Sequence, residues 1–358
     1  MNEKKKSILN SSALYTLIAI IIGFLVGAIL LVLAGINPGE AYGRLLSSVF
    51  SKPKSIAWSI IYASPLIFTG LSVAFSYKMG VFNIGAEGQF VVGSLAACVV
   101  GILVDVPPVI HVPLCILAAA AAGAIWSLIV SLLKVKKGIN EVLSFIMFNW
   151  IAFYLSNYIV NLKAIHKESG GEATKDILKS ATILLPQSIR TALGCTSANY
   201  GFLLAVIAAV IIWFIIKKTT LGYRICAVGF NHNAARYGGI NSDKTVMVAM
   251  GISGALAGLG GAVQILGMST RISQYAAQEG FGFQGITVAL IGGGNPIGCI
   301  FSGLFYGAMK FGGSKLSLIN APSEIVDIIM GTIIFFIAIS YVFKKFFLSK
   351  RFKKKEAK

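Results

Sequence analysis

Asn83, Glu87 and Gln89 stand close together among glycines in the stretch VFNIGAEGQF (81–90), at the mouth of an apolar segment. Side chains of this kind inside an apolar chain do one of two jobs. They bond neighbouring helices together, or they line a path for a polar solute, because amides and carboxyls at membrane depth are costly unless they face a bundle interior or water. The same chemistry recurs at Asn140, Glu141 and Asn149 in INEVLSFIMFNW (139–150), at Gln264 and Gln284, and at Asp327. At about 100° per residue, a helix places Glu141, Ser144 and Phe148 within about 60° of one another, with Asn149 about 80° to the other side of Glu141. That mixed polar and aromatic face suits a small solute bearing rings or hydroxyls, while interhelical hydrogen bonding would employ the same residues. Asn83, Glu87, Gln89, Asn140, Glu141, Asn149 and Gln284 are the candidates for a translocation path.

Other chemistry is poorly supplied. No nucleophile–base constellation is legible, and no G-x-x-x-x-G-K-[ST] phosphate loop occurs; the glycine run LIGGGNPIGCIFSG (290–303) lacks the lysine that would reach phosphates and reads as close helix packing or a broken helix. The five cysteines are scattered without C-x-x-C spacing and the three histidines lie far apart, so neither a zinc site nor a disulfide framework is expected. The chain is expected to bind no metal and no cofactor of its own, and not to act as an enzyme. If it drives a solute uphill, a partner must supply the energy.

The elements that would hold these residues are membrane helices. Of 358 residues, 56% are hydrophobic and 12% charged, with a mean hydropathy of +0.81. An ordinary soluble domain carries about 25% charged residues, so a multi-pass integral membrane protein is expected. Runs near the roughly 20 residues a crossing requires lie at 13–34, 56–77, 88–104, 109–133, 139–160, 200–216, 245–268, 281–297, 298–316 and 324–343. The expectation is an all-α polytopic bundle of about ten transmembrane helices, with a range of eight to ten. The first run is too long for the core of a secretory signal, so it reads as a span, with a cleaved signal as the alternative.

The net charge of +18 resides in short loops and at the chain ends, where it would bias orientation; no basic, aromatic-interleaved face exists to hold nucleic acid. With ten spans and an internal N-terminus, 20 of the 31 Lys and Arg residues fall on the cytoplasmic side, as positive-inside topology requires. Both termini are therefore expected in the cytoplasm, with 344–358 as a basic tail. The chain reads as a single transmembrane domain, 1–358, with two long loops: 161–199 outside, as a lid or docking surface, and 217–244 inside. In the inner loop, Asn231 or Asn233 can cap a short helix through Ala234, Ala235, Arg236 and Tyr237, with Gly238 and Gly239 as its stop. So short a helix does not hold itself together in water; it either docks on a partner or is a solvated turn.

The segments GVFNIGAEGQFVVGSLAA (80–97), INEVLSFIMFNWIA (139–152), LGYRICAVGFNHNAARYGGI (221–240) and FGFQGITVALIGGGNPIG (281–298), in this order, resemble the permease subunits of bacterial nucleoside ABC importers. That group is close to simple-sugar and ribose permeases and more distant from branched-chain amino acid permeases, and the resemblance runs from about residue 15 to 343. It implies a permease in the bacterial plasma membrane, paired with a second permease, most simply as a heterodimer. Two cytoplasmic ATPase subunits would carry ATP and Mg, and an extracellular substrate-binding lipoprotein would deliver the solute. By similarity, Asn231 to Gly239 would be the coupling helix seated in an ATPase cleft. The alternatives are a ribose-type sugar importer permease and, from another class, an ion-coupled carrier or channel using Glu87, Glu141 and Asp327.

Overall fold

The computed structural model describes residues 12–168 and 170–339; the basic tail at 344–358 lies outside them. Every regular element among the described residues is helical: α1 (Ser12–Leu33), α2 (Pro38–Phe50), α3 (Pro53–Tyr77), α4 (Ala86–Leu103), α5 (Pro108–Lys137), α6 (Glu141–Val160), α7 (Gln187–Leu193), α8 (Gly201–Lys218), α9 (Thr220–Phe230), α10 (His232–Tyr237), α11 (Ser242–Gln264), α12 (Phe281–Ile291), α13 (Pro296–Gly313) and α14 (Ile325–Ile339). Seven of them are long and apolar enough to cross a membrane, and α12 and α14 are shorter apolar helices. The expected all-α polytopic bundle is present. The expected run at 281–297, however, is an eleven-residue helix followed by a glycine turn at Gly293 and Gly294, both with positive φ.

The chain divides into two compact units, one built from 1–51 with 309–358 and the other from 52–308. In the first, Asn37 caps α2 by accepting the Gly39 N–H at 2.9 Å. Tyr42 donates to the Phe24 carbonyl at 2.6 Å, with the two rings edge to face. The α2 helix had no counterpart in the sequence reading, which left 35–55 as a connection; its apolar positions, Ala41, Leu45 and Val49, recur every four residues and are all buried.

In the larger unit α11 is central, packed on α3, α4 and α5. Small residues make the contact. A Cβ on Gly258 would strike the Ala119 carbonyl of α5, and one on Gly254 the Gly123 carbonyl, so these backbones touch only because the side chains are missing. The lipid-side character is equally direct: Leu203, Ile207, Val210 and Phe214 of α8 are exposed apolar side chains repeating at helical spacing. The long connection 161–199 is held against the helix ends. His111 at the start of α5 bonds Ser180 Oγ at 2.8 Å and the Val100 carbonyl at 3.2 Å through its two ring nitrogens.

After α11 the helix widens into a π turn at Ile265–Ser269 and stops at Thr270, a non-glycine residue with φ of +56°. Residues 270–280 then run without regular structure to α12. This segment is clamped on both sides. Ile177 donates to the Thr270 carbonyl at 2.8 Å and Thr174 to the Ile272 carbonyl at 2.9 Å. Asn157 of α6 takes the Tyr275 N–H at 2.8 Å and donates to its carbonyl at 3.0 Å. An exposed polar segment thus acquires the backbone partners that a sheet or helix would otherwise supply.

Candidate functional site

Residues 78–85 double back from the end of α3 and return along it. Asn83 is fully buried beside Ser72 of α3, Gln89 of α4 and Ser253 of α11. Its amide and that of Gln89 pair reciprocally at 2.8 and 3.0 Å, and Asn83 Nδ2 also lies 3.1 Å from Ser72 Oγ and 2.8 Å from Ser253 Oγ. Ser253 Oγ bonds the Ser72 carbonyl at 2.8 Å. Four helix-borne and loop-borne groups satisfy one another here, a closed polar node in an apolar bundle. Asn83 does not cap α4, which starts at Ala86 with Gly85 ahead of it.

Glu87 is fully buried, and its two carboxyl oxygens accept the backbone N–H groups of Gly280, at 2.8 Å, and Gly282, at 2.6 Å. These are donors at the start of α12 that have no partner within the helix, so Glu87 is the cap of a helix whose own flank, Gly280, has no side chain to offer. Gly282 sits so close to Glu87 that a Cβ would run into its backbone. Phe90 and Phe281 stack beside the cap at 5.1 Å. From there α12 runs alongside the latter part of α3, with Gly285 against Thr69 and Gly294 against Tyr77. At 1.5 Å per residue α12 is about 16 Å long, half of the about 30 Å hydrocarbon core. The positive end of this half-length helix is met by the buried Glu87 carboxyl group; discontinuous transporter helices place such ends around solute sites.

The other path candidates take separate places. Asn149 of α6 accepts the Gly88 N–H at 2.8 Å and donates to the Ile84 carbonyl at 3.1 Å, pinning α6 to the first turn of α4. Asn140 is the exposed N-cap of α6, accepting the Val142 N–H at 2.9 Å. Glu141 pairs with Lys134 at the end of α5. Gln284 is half-buried on α12. Asn83, Gln89, Glu87 and Asn149 thus converge around the start of α4, whereas Asn140 and Glu141 lie about two helical turns away from Asn149 along α6. The face proposed for α6 divides accordingly: Ser144 and Asn149 are buried, while Glu141 and Phe148 are partly exposed.

Sequence reasoning missed a polar cleft of about 420 Å³ lined by Gln264, Ser269, Arg271, Ser273, Tyr275 and Glu279 among others. Only Gln264 had drawn notice, as an amide in an apolar run. The available signal was the polar string STRISQYAAQEG (269–280) directly after a span.

In 217–244, α9 and α10 meet at Asn231, whose side chain accepts the Ala234 N–H at 3.0 Å, so Asn231 rather than Asn233 is the cap. Gly239, with φ of +81°, ends the turn, with the Ile240 N–H returning to the Ala235 carbonyl at 3.0 Å. The ends of α9 and α10 present their rings outward: Phe230 is 93% exposed and Tyr237 92%. A groove of about 550 Å³ lies behind, between Arg224, Gly239 and Lys244. Gly229 of α9 presses on the backbone of Lys78 and Met79, at the start of the segment that leads to Asn83 and Glu87.

Known proteins resemble the chain over nearly its whole length. The family described as branched-chain amino acid transport system / permease component matches residues 55–338. The guanosine ABC transporter permease protein NupP of Bacillus subtilis is 39% identical, covering 97% of this chain and 98% of its own. The nucleoside ABC transporter permease protein NupB of Lactococcus lactis is 34% identical over 96% of this chain and 93% of its own. The glucose ABC transporter permease protein TsgB13 of Haloferax volcanii is 32% identical over 90% and 86%. No solved structure matches the chain.

Proposed function

The chain belongs to the permease-component family of the branched-chain amino acid transport system, and from that premise we propose that it is the transmembrane permease of an ATP-driven nucleoside importer. The observation that carries the solute is the end-to-end similarity to the guanosine permease NupP, at 39% identity and with nearly all of both chains covered. The glucose permease TsgB13 supports the second reading, a sugar importer, at lower identity.

In this proposal α10, with Asn231 to Gly239, faces the cytoplasm and seats in an ATPase subunit, and the exposed Phe230 and Tyr237 are its anchors. Aromatic residues are the usual hot spots of such contacts. ATP and Mg are held by two ATPase partners, a second permease completes the path, and an external binding lipoprotein delivers the solute. Movement of α10 is transmitted through α9 to the backbone at Lys78 and Met79, then to the Asn83 node and the Glu87 cap on α12. A two-state element of this kind shifts only as far as its partners bind the two states unequally. Affinity therefore belongs mainly to the external receptor, and the permease holds the solute weakly.

The test is competition for uptake. Cells that depend on this chain for labelled guanosine uptake should lose the signal to excess unlabelled nucleosides and keep it in excess glucose or ribose. Competition by the sugars alone would replace the nucleoside reading with the sugar one.

A further inference from the structure

We propose that the cleft beside the π turn at the end of α11 is a solute subsite of the permease itself, built for an uncharged ligand that brings a hydroxyl or N–H donor to Gln264 and a ring to Tyr275. The inference rests on the importer reading and adds to it a place in this chain where the solute pauses.

The carrying observation is Gln264 Oε1. Gln264 is 7% exposed, and its Nε2 donates to Ser269 Oγ at 3.3 Å, but Oε1 is buried with no hydrogen-bond partner among the described residues. A buried acceptor left unmade costs about 1–3 kcal/mol, and a solute donor in the cleft would recover that. The amide stands where α11 passes into the π turn, a distortion that often accompanies functional sites. Tyr275 supplies the ring. Its own ring stacks on Phe153 at 6.4 Å and its backbone is held at both ends by Asn157, so the platform is fixed before a ligand arrives.

The remaining lining sets the class of ligand. Arg271 and Glu279 are both exposed at the cleft, so one cation and one carboxyl group offset each other and neither an anion nor a cation is selected. Ser269, Ser273 and Gln274 add hydroxyl and amide groups that suit a polyhydroxylated solute. The volume of about 420 Å³ is within the range of about 300–1,000 Å³ for small-molecule sites. The cleft also lies along the segment leading to Gly280 and the Glu87-capped start of α12.

The experiment places a cysteine at exposed Ser273 (Ser273→Cys) in the full transporter in cells and follows its reaction with a membrane-impermeant methanethiosulfonate reagent. Four of the five native cysteines are buried, and the unsubstituted chain supplies the blank. Millimolar guanosine is expected to slow the reaction several-fold. Adding Gln264→Met should weaken that protection about tenfold, the value of one hydrogen bond of about 1.4 kcal/mol, while Gln264→Glu, which keeps an acceptor, should retain most of it. An unchanged rate without solute in the Gln264 variants shows that the cleft is intact. No reaction at Ser273→Cys, or equal guanosine protection with and without Gln264, overturns the subsite and leaves the importer reading standing. Protection by ribose but not guanosine, again lost in Gln264→Met, keeps the subsite and overturns the nucleoside assignment.

Discussion

Glu87→Gln is the sharpest perturbation the structure offers. The carboxyl group accepts two backbone N–H groups, from Gly280 and Gly282, in a fully buried position. The amide retains one acceptor and turns the other into a donor aimed at an N–H. Losing one such bond and leaving its partner unsatisfied costs about 2–4 kcal/mol, the cost of about 1–3 kcal/mol for a buried orphan raised because the lost acceptor was charged. Because the loss falls on the first turn of α12, it should appear as local opening there before the bundle unfolds. Hydrogen exchange of the peptide containing Gly280–Gly282, in lipid nanodiscs, should accelerate about 30- to 700-fold, at tenfold per 1.4 kcal/mol. Peptides from α8, which packs on α3 and α9, should keep their wild-type rates. Exchange at Gly280–Gly282 within twofold of wild type would refute the capping role.

Asn149→Leu removes both bonds between α6 and the start of α4; uptake should fall at least severalfold while membrane insertion, read by glycosylation or protease mapping, is unimpaired. Gly258→Val forces a side chain into the Ala119 carbonyl and should cost upwards of about 1–3 kcal/mol, seen as loss of the monodisperse peak in size exclusion. Tyr237→Ala deletes a ring that is 92% exposed; it should leave thermal stability unchanged but separate ATP hydrolysis from transport, and normal uptake would return α10 to the status of a solvated turn.

Local patterns in the sequence were enough for much of this architecture. Apolar runs separated by basic loops mark the spans, and the asparagines at 231 and 233 mark the start of a short helix, though only the structure shows that Asn231 is its cap. The α2 helix escaped because its polar face carries Glu40, Arg44 and Ser48, which lowers the hydropathy below that of a span. The site is harder to read for a different reason. Glu87 bonds residues 193 and 195 positions away, and nothing local shows whether a buried carboxyl group faces a solute or a helix end. The same holds for Asn83, whose Ser253 partner is 170 residues distant. The polar groups at the head of α4 that first suggested a solute path are bonded chiefly to protein. The cleft at Gln264 and Tyr275 is assembled from an irregular segment with no periodicity to detect.

The most direct test of the central claim is the energy source of guanosine uptake by cells whose only route is this chain. Uptake should persist when a protonophore collapses the proton gradient with ATP maintained, and should vanish when the ATPase proposed as its partner is deleted. Uptake that collapses with the gradient and survives loss of the ATPase would make the chain an ion-coupled carrier and contradict the account.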